Sequence, residues 1–114
     1  MMMTIETLIR EVETDFLLAR GSVLGRDRHR TVAEARQVAM WLVRELGGRS
    51  YPELGRIFQR DHTTAISAVR RVAARYAGEP AYAARVRRIW ARVSSDGMPS
   101  KVEFVPGEGM VLSA

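Results

Sequence analysis

The sequence predicts an all-α fold: a compact helical domain over residues 1–93, followed by a short tail over residues 94–114. Three observations carry that expectation. Apolar residues recur with the spacing of a single helix face in segment after segment. Capping and stopping residues separate those segments at short intervals. Alternation of apolar and charged residues, the mark of a half-buried strand, first occurs beyond Ser94, in KVEFV.

In TIETLIREVETDF, Ile5, Leu8, Ile9, Val12 and Phe16 follow the i, i+3, i+4, i+7 pattern, and Thr4 is a suitable N-cap. Gly21 breaks the helix, Ser22-Val23-Leu24-Gly25 has room for one turn, and GRDRHR (25–30) reads as a polar connector. Thr31-Val32-Ala33-Glu34 has the spacing of a capping box. It opens a helix with Ala35, Val38, Ala39, Leu42 and Leu46 inside, stopped by Gly47-Gly48. Ser50-Tyr51-Pro52-Glu53 repeats the signal, and proline is tolerated in a first turn; Leu54, Ile57 and Phe58 form the buried edge of this short helix.

Asp61 is expected to cap the next helix, with Ile66, Val69, Val72, Ala73 and Tyr76 as its inner stripe and Gly78 as its end. Pro80 opens a last helix to about Val93, with Tyr82, Val86, Ile89 and Trp90 facing inward. Trp41 and Trp90 read as core or interface aromatics. SSDGMPS is a loop by composition. KVEFV and MVLSA around PGEG suggest a weak hairpin or a flexible tail.

Charge is unevenly placed. Residues 21–93 hold fifteen Arg against six acids, net +9, whereas residues 1–20 and 94–114 are each net −2. A strongly basic middle attracts a polyanion, and nucleic acid is the first candidate. The chain has no cysteine and two isolated histidines, which predicts no disulfide, no metal site and no cofactor. The start lacks a basic segment followed by an apolar one, and no run approaches the roughly 20 apolar residues of a membrane span. The expectation is a cytoplasmic, nucleoid-associated protein with no membrane partner. His29 and His62 have no thiol to activate, no serine has a nucleophile-elbow context, and the middle lacks clustered carboxylates for metal-assisted hydrolysis. No enzyme is predicted.

The short helix near 51–58 and the longer one after Asp61 are separated by about two residues, Gln59 and Arg60, which is a helix-turn-helix arrangement. With Ile66, Val69 and Val72 inside, Thr63, Thr64, Ser67, Arg70 and Arg71 lie on or beside the opposite face. Small hydroxyl residues at the start of such a helix can enter a major groove and touch a base edge or a thymine methyl. Its N-terminus also favours a phosphate.

The segments RTVAEARQVAMWLVREL, SYPELGRIF and RDHTTAISAVRRV together resemble the C-terminal DNA-binding domain of the bacterial replication initiator DnaA. The Asp-His-Thr-Thr run preceded by Arg is the most specific part. The resemblance covers residues 21–77 and, more loosely, the helix before them. It implies an all-helical fold that binds a short, asymmetric, A·T-rich box in double-stranded DNA. It further implies base contacts from Asp61, His62, Thr63 and Thr64, with Tyr51 and Pro52 abutting the same groove. Arg28, or its neighbour Arg30, falls where the family places a minor-groove arginine. Arg36, Arg44, Ser50, Arg60, Ser67 and Arg71 match phosphate contacts.

Two departures stand out. The family commonly has Gly-Gly-Arg before Asp-His-Thr-Thr, whereas Gln59-Arg60 is one residue shorter. The G-x-x-x-x-G-K-[ST] phosphate loop of an ATPase is also absent from these residues. The expectation is therefore a stand-alone reader that regulates replication or transcription without ATPase activity. The alternative is a DNA-tethered adaptor that recruits an unidentified protein partner through its first helix or its tail. Arg85, Arg87, Arg88 and Arg92 lie outside the matching segments and read as a solvated face able to add phosphate affinity.

Overall fold

The computed structural model describes residues 4–95, 97–99 and 102, and these described residues fold as five helices. They are α1 (Ile5–Asp15), α2 (Arg30–Gly47), α3 (Tyr51–Phe58), α4 (His62–Gly78) and α5 (Pro80–Val93). No strand occurs among the described residues. The expected hairpin of the tail lies outside them. The body measures 38 × 31 × 30 Å.

α2 is the central post. It packs on α1, α3 and α4, and α5 closes the bundle against α1 and α4. The sequence pattern assigns α2 one inner face, but six consecutive residues, Val38 to Val43, are buried. A helix touched on three sides has no solvent face in its middle, so Met40, Trp41 and Val43 are core as well. Leu46, expected inside, is only half-buried, packed against the edge of the core. Trp41 and Trp90 bring α2 and α5 together, with ring centroids 5.6 Å apart.

Caps follow the sequence in part. Thr4 accepts the Thr7 N–H at 3.1 Å, and Ser50 and Glu53 form a reciprocal capping box. The capping box expected at Thr31 does not form. α2 begins two residues earlier, with His29 at the N-cap and no side-chain cap bond. Glu34 instead pairs with Arg30 and Arg75, each at 3.3 Å. Asp61 occupies the N-cap of α4 through its carbonyl, which accepts the N–H groups of Thr64 and Ala65. Its carboxylate makes no cap bond.

The inner stripe of α4 is rotated slightly from expectation. Ala65, Ala68, Val69, Val72 and Ala73 are buried, while Ile66 and Tyr76 are half-buried. Alanines lead that stripe because α4 lies close against both α2 and α3.

The basic residues of α5 are not a free face. Arg85, Arg88 and Arg92 converge on Asp15 of α1 at 3.1, 2.8 and 2.8 Å, and Arg92 also reaches Glu11 at 3.5 Å. The Asp15 side chain is only 3% exposed. Burial alone would raise its pKa, but the bond from Arg88 and the three positive charges outweigh that and hold it below the usual carboxylate range.

Candidate nucleic-acid interface

The turn between α3 and α4 fixes where α4 begins. Gln59 adopts the left-handed conformation (φ 53°), and its N–H donates to the Arg56 carbonyl at 3.3 Å. The Arg60 N–H donates to the Gly55 carbonyl at 2.9 Å. This pair of bonds is a Schellman closure, usually built on glycine. With it the chain turns a corner using one residue fewer than Gly-Gly-Arg. The closeness has a steric condition: a Cβ on Gly55 would stand 2.7 Å from the Arg60 carbonyl oxygen.

Past this corner the first turn of α4 is presented outward. Asp61, His62, Thr63 and Thr64 are all exposed, and Ser67, Arg70 and Arg71 continue the same polar face. The buried stripe on the other side anchors this helix to α2 and α3, so its position is set by packing. Pro52 is exposed nearby. Tyr51 is different: it is 3% exposed, with the Arg44 guanidinium 3.8 Å over its ring. Burial, first, raises the pKa of its hydroxyl. A ring covered in this way is a wall beneath the exposed surface, with little of it left for the base contact expected of it. Ser50, beside it, is exposed and holds the start of α3 through its capping box.

Arg71, Thr64 and Ser67 of α4 share a concavity of about 250 Å³ with Arg60 and with Arg36 and Gln37 of α2. The Gln37 Oε1 is buried there without a hydrogen-bond partner among the described residues. A second concavity, about 410 Å³, is formed by Leu24, Arg26, Arg28, Gln59 and Arg60. Among the described residues, Arg26, Arg28 and Arg71 form no ion pair. Arg30 is also exposed but reaches Glu34. The connector bearing Arg28 and the exposed turn of α4 thus border one contiguous basic surface, joined at Arg60. Gln37 and Arg26 went unnoticed in the sequence; both are polar neighbours of residues already singled out, and only the fold shows that they face the same side.

Two of the residues expected at phosphates are engaged inside the protein. Arg36 is 8% exposed, and its Nε donates to the Val23 carbonyl at 2.8 Å. Its Nη2 donates to the carbonyls of Gly25 and Asp27 at 3.1 and 3.0 Å. Burial, then the nearby Arg60 charge, lower its pKa, and Asp27 offsets part of this. Arg60 donates to the carbonyls of Phe58 (2.8 Å) and Gly25 (2.9 Å). Arg44 likewise reaches the Arg49 carbonyl at 3.2 Å.

A helical bundle in which α3 and α4 meet at a tight corner, with an exposed, hydroxyl-bearing first turn of α4 and an adjoining basic connector, defines a DNA-binding helix-turn-helix domain. Comparison with known proteins identifies which one. The family model described as the bacterial dnaA protein helix-turn-helix matches residues 5–72, and the chain belongs to that family. It is similar to the chromosomal replication initiator protein DnaA of Sphingopyxis alaskensis, 50% identical over 72 residues covering 62% of this chain and 16% of that protein. The same-named protein of a Caulobacter species is 40% identical over 78 residues, 68% of this chain and 16% of that protein. That of Symbiobacterium thermophilum is 36% identical over 94 residues, 82% of this chain and 20% of that protein. The chain therefore spans a fifth or less of the length of these relatives. Among the described residues no group of His, Cys, Asp or Glu could hold a metal, and no helix is long and apolar enough to cross a membrane.

Proposed function

We propose that this domain reads a short, asymmetric, A·T-rich box in double-stranded DNA and acts on replication or transcription by occupying it. The observation that carries the reading is the exposed first turn of α4. His62, Thr63 and Thr64, with the uncapped carboxylate of Asp61, stand clear of the core on a helix whose other face is buried. Inserted in a major groove, Asp61 would accept from a cytosine amino group, and His62 and the threonines would reach neighbouring base edges and methyl groups. Pro52 would border the groove. Arg28, with Arg30 beside it, would enter the adjoining minor groove, where an A·T-rich stretch has its most negative potential. Arg44, Ser50, Ser67 and Arg71 would hold phosphates and so set the register without carrying sequence information.

Occupancy on this reading depends on concentration relative to Kd and carries no nucleotide dependence, since these residues contain no phosphate loop. A domain that fills the same boxes as an initiator would exclude it by competition, at the nucleoid. The adaptor alternative is weaker for α1, whose apolar residues Leu8, Ile9, Val12 and Phe16 are already buried in the bundle. The test is a titration of box DNA against scrambled DNA at a stated salt concentration, with and without ATP, followed by footprinting with an initiator present. Preferential box binding unaffected by ATP, and mutual displacement, support the reading. Equal affinity for both DNAs defeats box reading, and joint protection of adjacent boxes defeats competition.

A further inference from the structure

The connector between α1 and α2 looks at first like a loose basic loop, yet it is bound from three directions. Glu13 of α1, itself 3% exposed, accepts the Val23 N–H at 2.9 Å. Arg36 of α2 holds the carbonyls of Val23, Gly25 and Asp27. Arg60, from the turn before α4, also holds the Gly25 carbonyl, at 2.9 Å. Two guanidinium groups thus converge on one carbonyl oxygen.

Bringing two cations together with one of them buried is unfavourable, and the acceptors of their hydrogen bonds are neutral carbonyls. An arrangement meant only to supply positive charge would leave both side chains in solvent. A planar fork with several fixed donors is suited instead to defining geometry. The last carbonyl held, that of Asp27, belongs to the residue immediately before Arg28. Arg60 in turn follows Gln59 in the corner that starts α4. The same two arginines therefore connect the base of the Arg28 arm to the base of the recognition helix.

We infer that Arg36 and Arg60 are positioning residues rather than phosphate contacts: they brace the connector so that Arg28 is presented at a set distance from His62–Thr64. The inference rests on the reading of Arg28 as a minor-groove contact. The brace orders the connector during folding, so that this entropy is not lost at the moment of binding.

The test uses Arg36→Lys and Arg60→Lys in the full chain, which keep the charge but cannot span several carbonyls. Each is expected to lower affinity for a box with an A·T-rich flank about tenfold, a loss of the size expected for a lost base contact, while the salt slope is unchanged. In an Arg28→Ala background the same substitutions should cost less than about threefold, since the braced contact is already gone. In the free protein, hydrogen exchange at Val23, Gly25 and His29 should accelerate while the amides of α2 and α4 stay protected. Lysine variants of full affinity, together with alanine variants whose salt slope falls by about one, would overturn the proposal in favour of direct phosphate contacts. So would undiminished losses in the Arg28→Ala background. Unchanged exchange in the connector overturns the brace whatever the DNA result. If Arg28→Ala itself binds normally, the minor-groove reading fails, and exchange alone then decides the brace. Arg60→Lys, at a less buried position, carries the test should Arg36→Lys not fold.

Discussion

Replacing Gly55 by alanine tests whether the corner between α3 and α4 is as tight as described. The added methyl would lie 2.7 Å from the Arg60 carbonyl oxygen and 3.2 Å from the His62 nitrogen, where ordinary contact begins at 3.4 Å. Both obstacles are backbone, so relief at the closer one requires moving the corner by about 0.7 Å, from 2.7 to 3.4 Å. Strain of this kind in a packed region costs about 1–3 kcal/mol. Weakening the Arg60 N–H bond to the Gly55 carbonyl adds about 1 kcal/mol. Alanine recovers about 1 kcal/mol through helix propensity. The expected result is a net destabilisation of about 2 kcal/mol, or a fall of roughly 10 °C in Tm for a domain of this size. Urea unfolding measures the stability, and titration of box and scrambled DNA measures the consequence. Because the shift falls on the residues that start α4, box affinity should drop more than non-specific affinity. A Gly55→Ala protein as stable as the original, or more stable as helix propensity alone would predict, would refute the reasoning.

Three further outcomes follow from the surface and from the α1–α5 contact. His62→Ala and Thr64→Ala should each weaken box binding by about 1–3 kcal/mol with non-specific binding nearly intact; proportional loss of both would exclude them as readers. Arg71→Ala should lower affinity on every sequence and reduce the salt slope by about one unit, as measured from titrations over a range of salt. Asp15→Asn should cost about 1 kcal/mol at neutral pH, a modest value because its arginine partners remain partly solvated. The Asp15 pKa is lowered in the folded state, so its contribution is full above the unfolded value near 4 and lost as pH falls through the folded one. Urea midpoints measured from pH 7 to pH 2 should therefore converge for the two proteins at the acid end.

Helix number, order and approximate limits were legible because each segment combines a periodic apolar face with a local stop. Ser50-x-x-Glu53 was readable as a cap since both partners lie within four residues. Thr31-x-x-Glu34 was not, because Glu34 is claimed by Arg75, a residue distant in sequence. The burial of Met40 and Val43 depends on how many helices touch α2, which a single periodic pattern does not encode. The same division holds at the site. The outward placement of His62, Thr63 and Thr64 follows from the stripe opposite them. The internal engagement of Arg36 and the covering of Tyr51 by Arg44 are tertiary facts: a guanidinium is equally at home on a carbonyl, a ring or a phosphate, and its sequence position does not choose among them.

The convergence of Arg85, Arg88 and Arg92 on one acid side chain also shapes how the molecule would approach its target. Those three positive charges lie against Asp15 and Glu11, which reduces their local sum to +1. Arg75 is likewise offset by Glu34 and Glu79, and Arg49 by Glu53. Arg26 and Arg28 of the connector and Arg71 of α4 lie outside these ion pairs and keep their full charge, Arg71 beside the Glu34–Arg75–Glu79 cluster. The domain's charge is thus unevenly expressed, muted where acids pair with arginines and full where they do not. In the field of a polyanion such a body experiences a torque, which turns the recognition surface toward the duplex before contact and raises the productive fraction of encounters. Fewer counterions would then be released than the nominal +9 of residues 21–93 suggests. A protein built in this way gains orientation during diffusion without holding every stretch of DNA with its full formal charge.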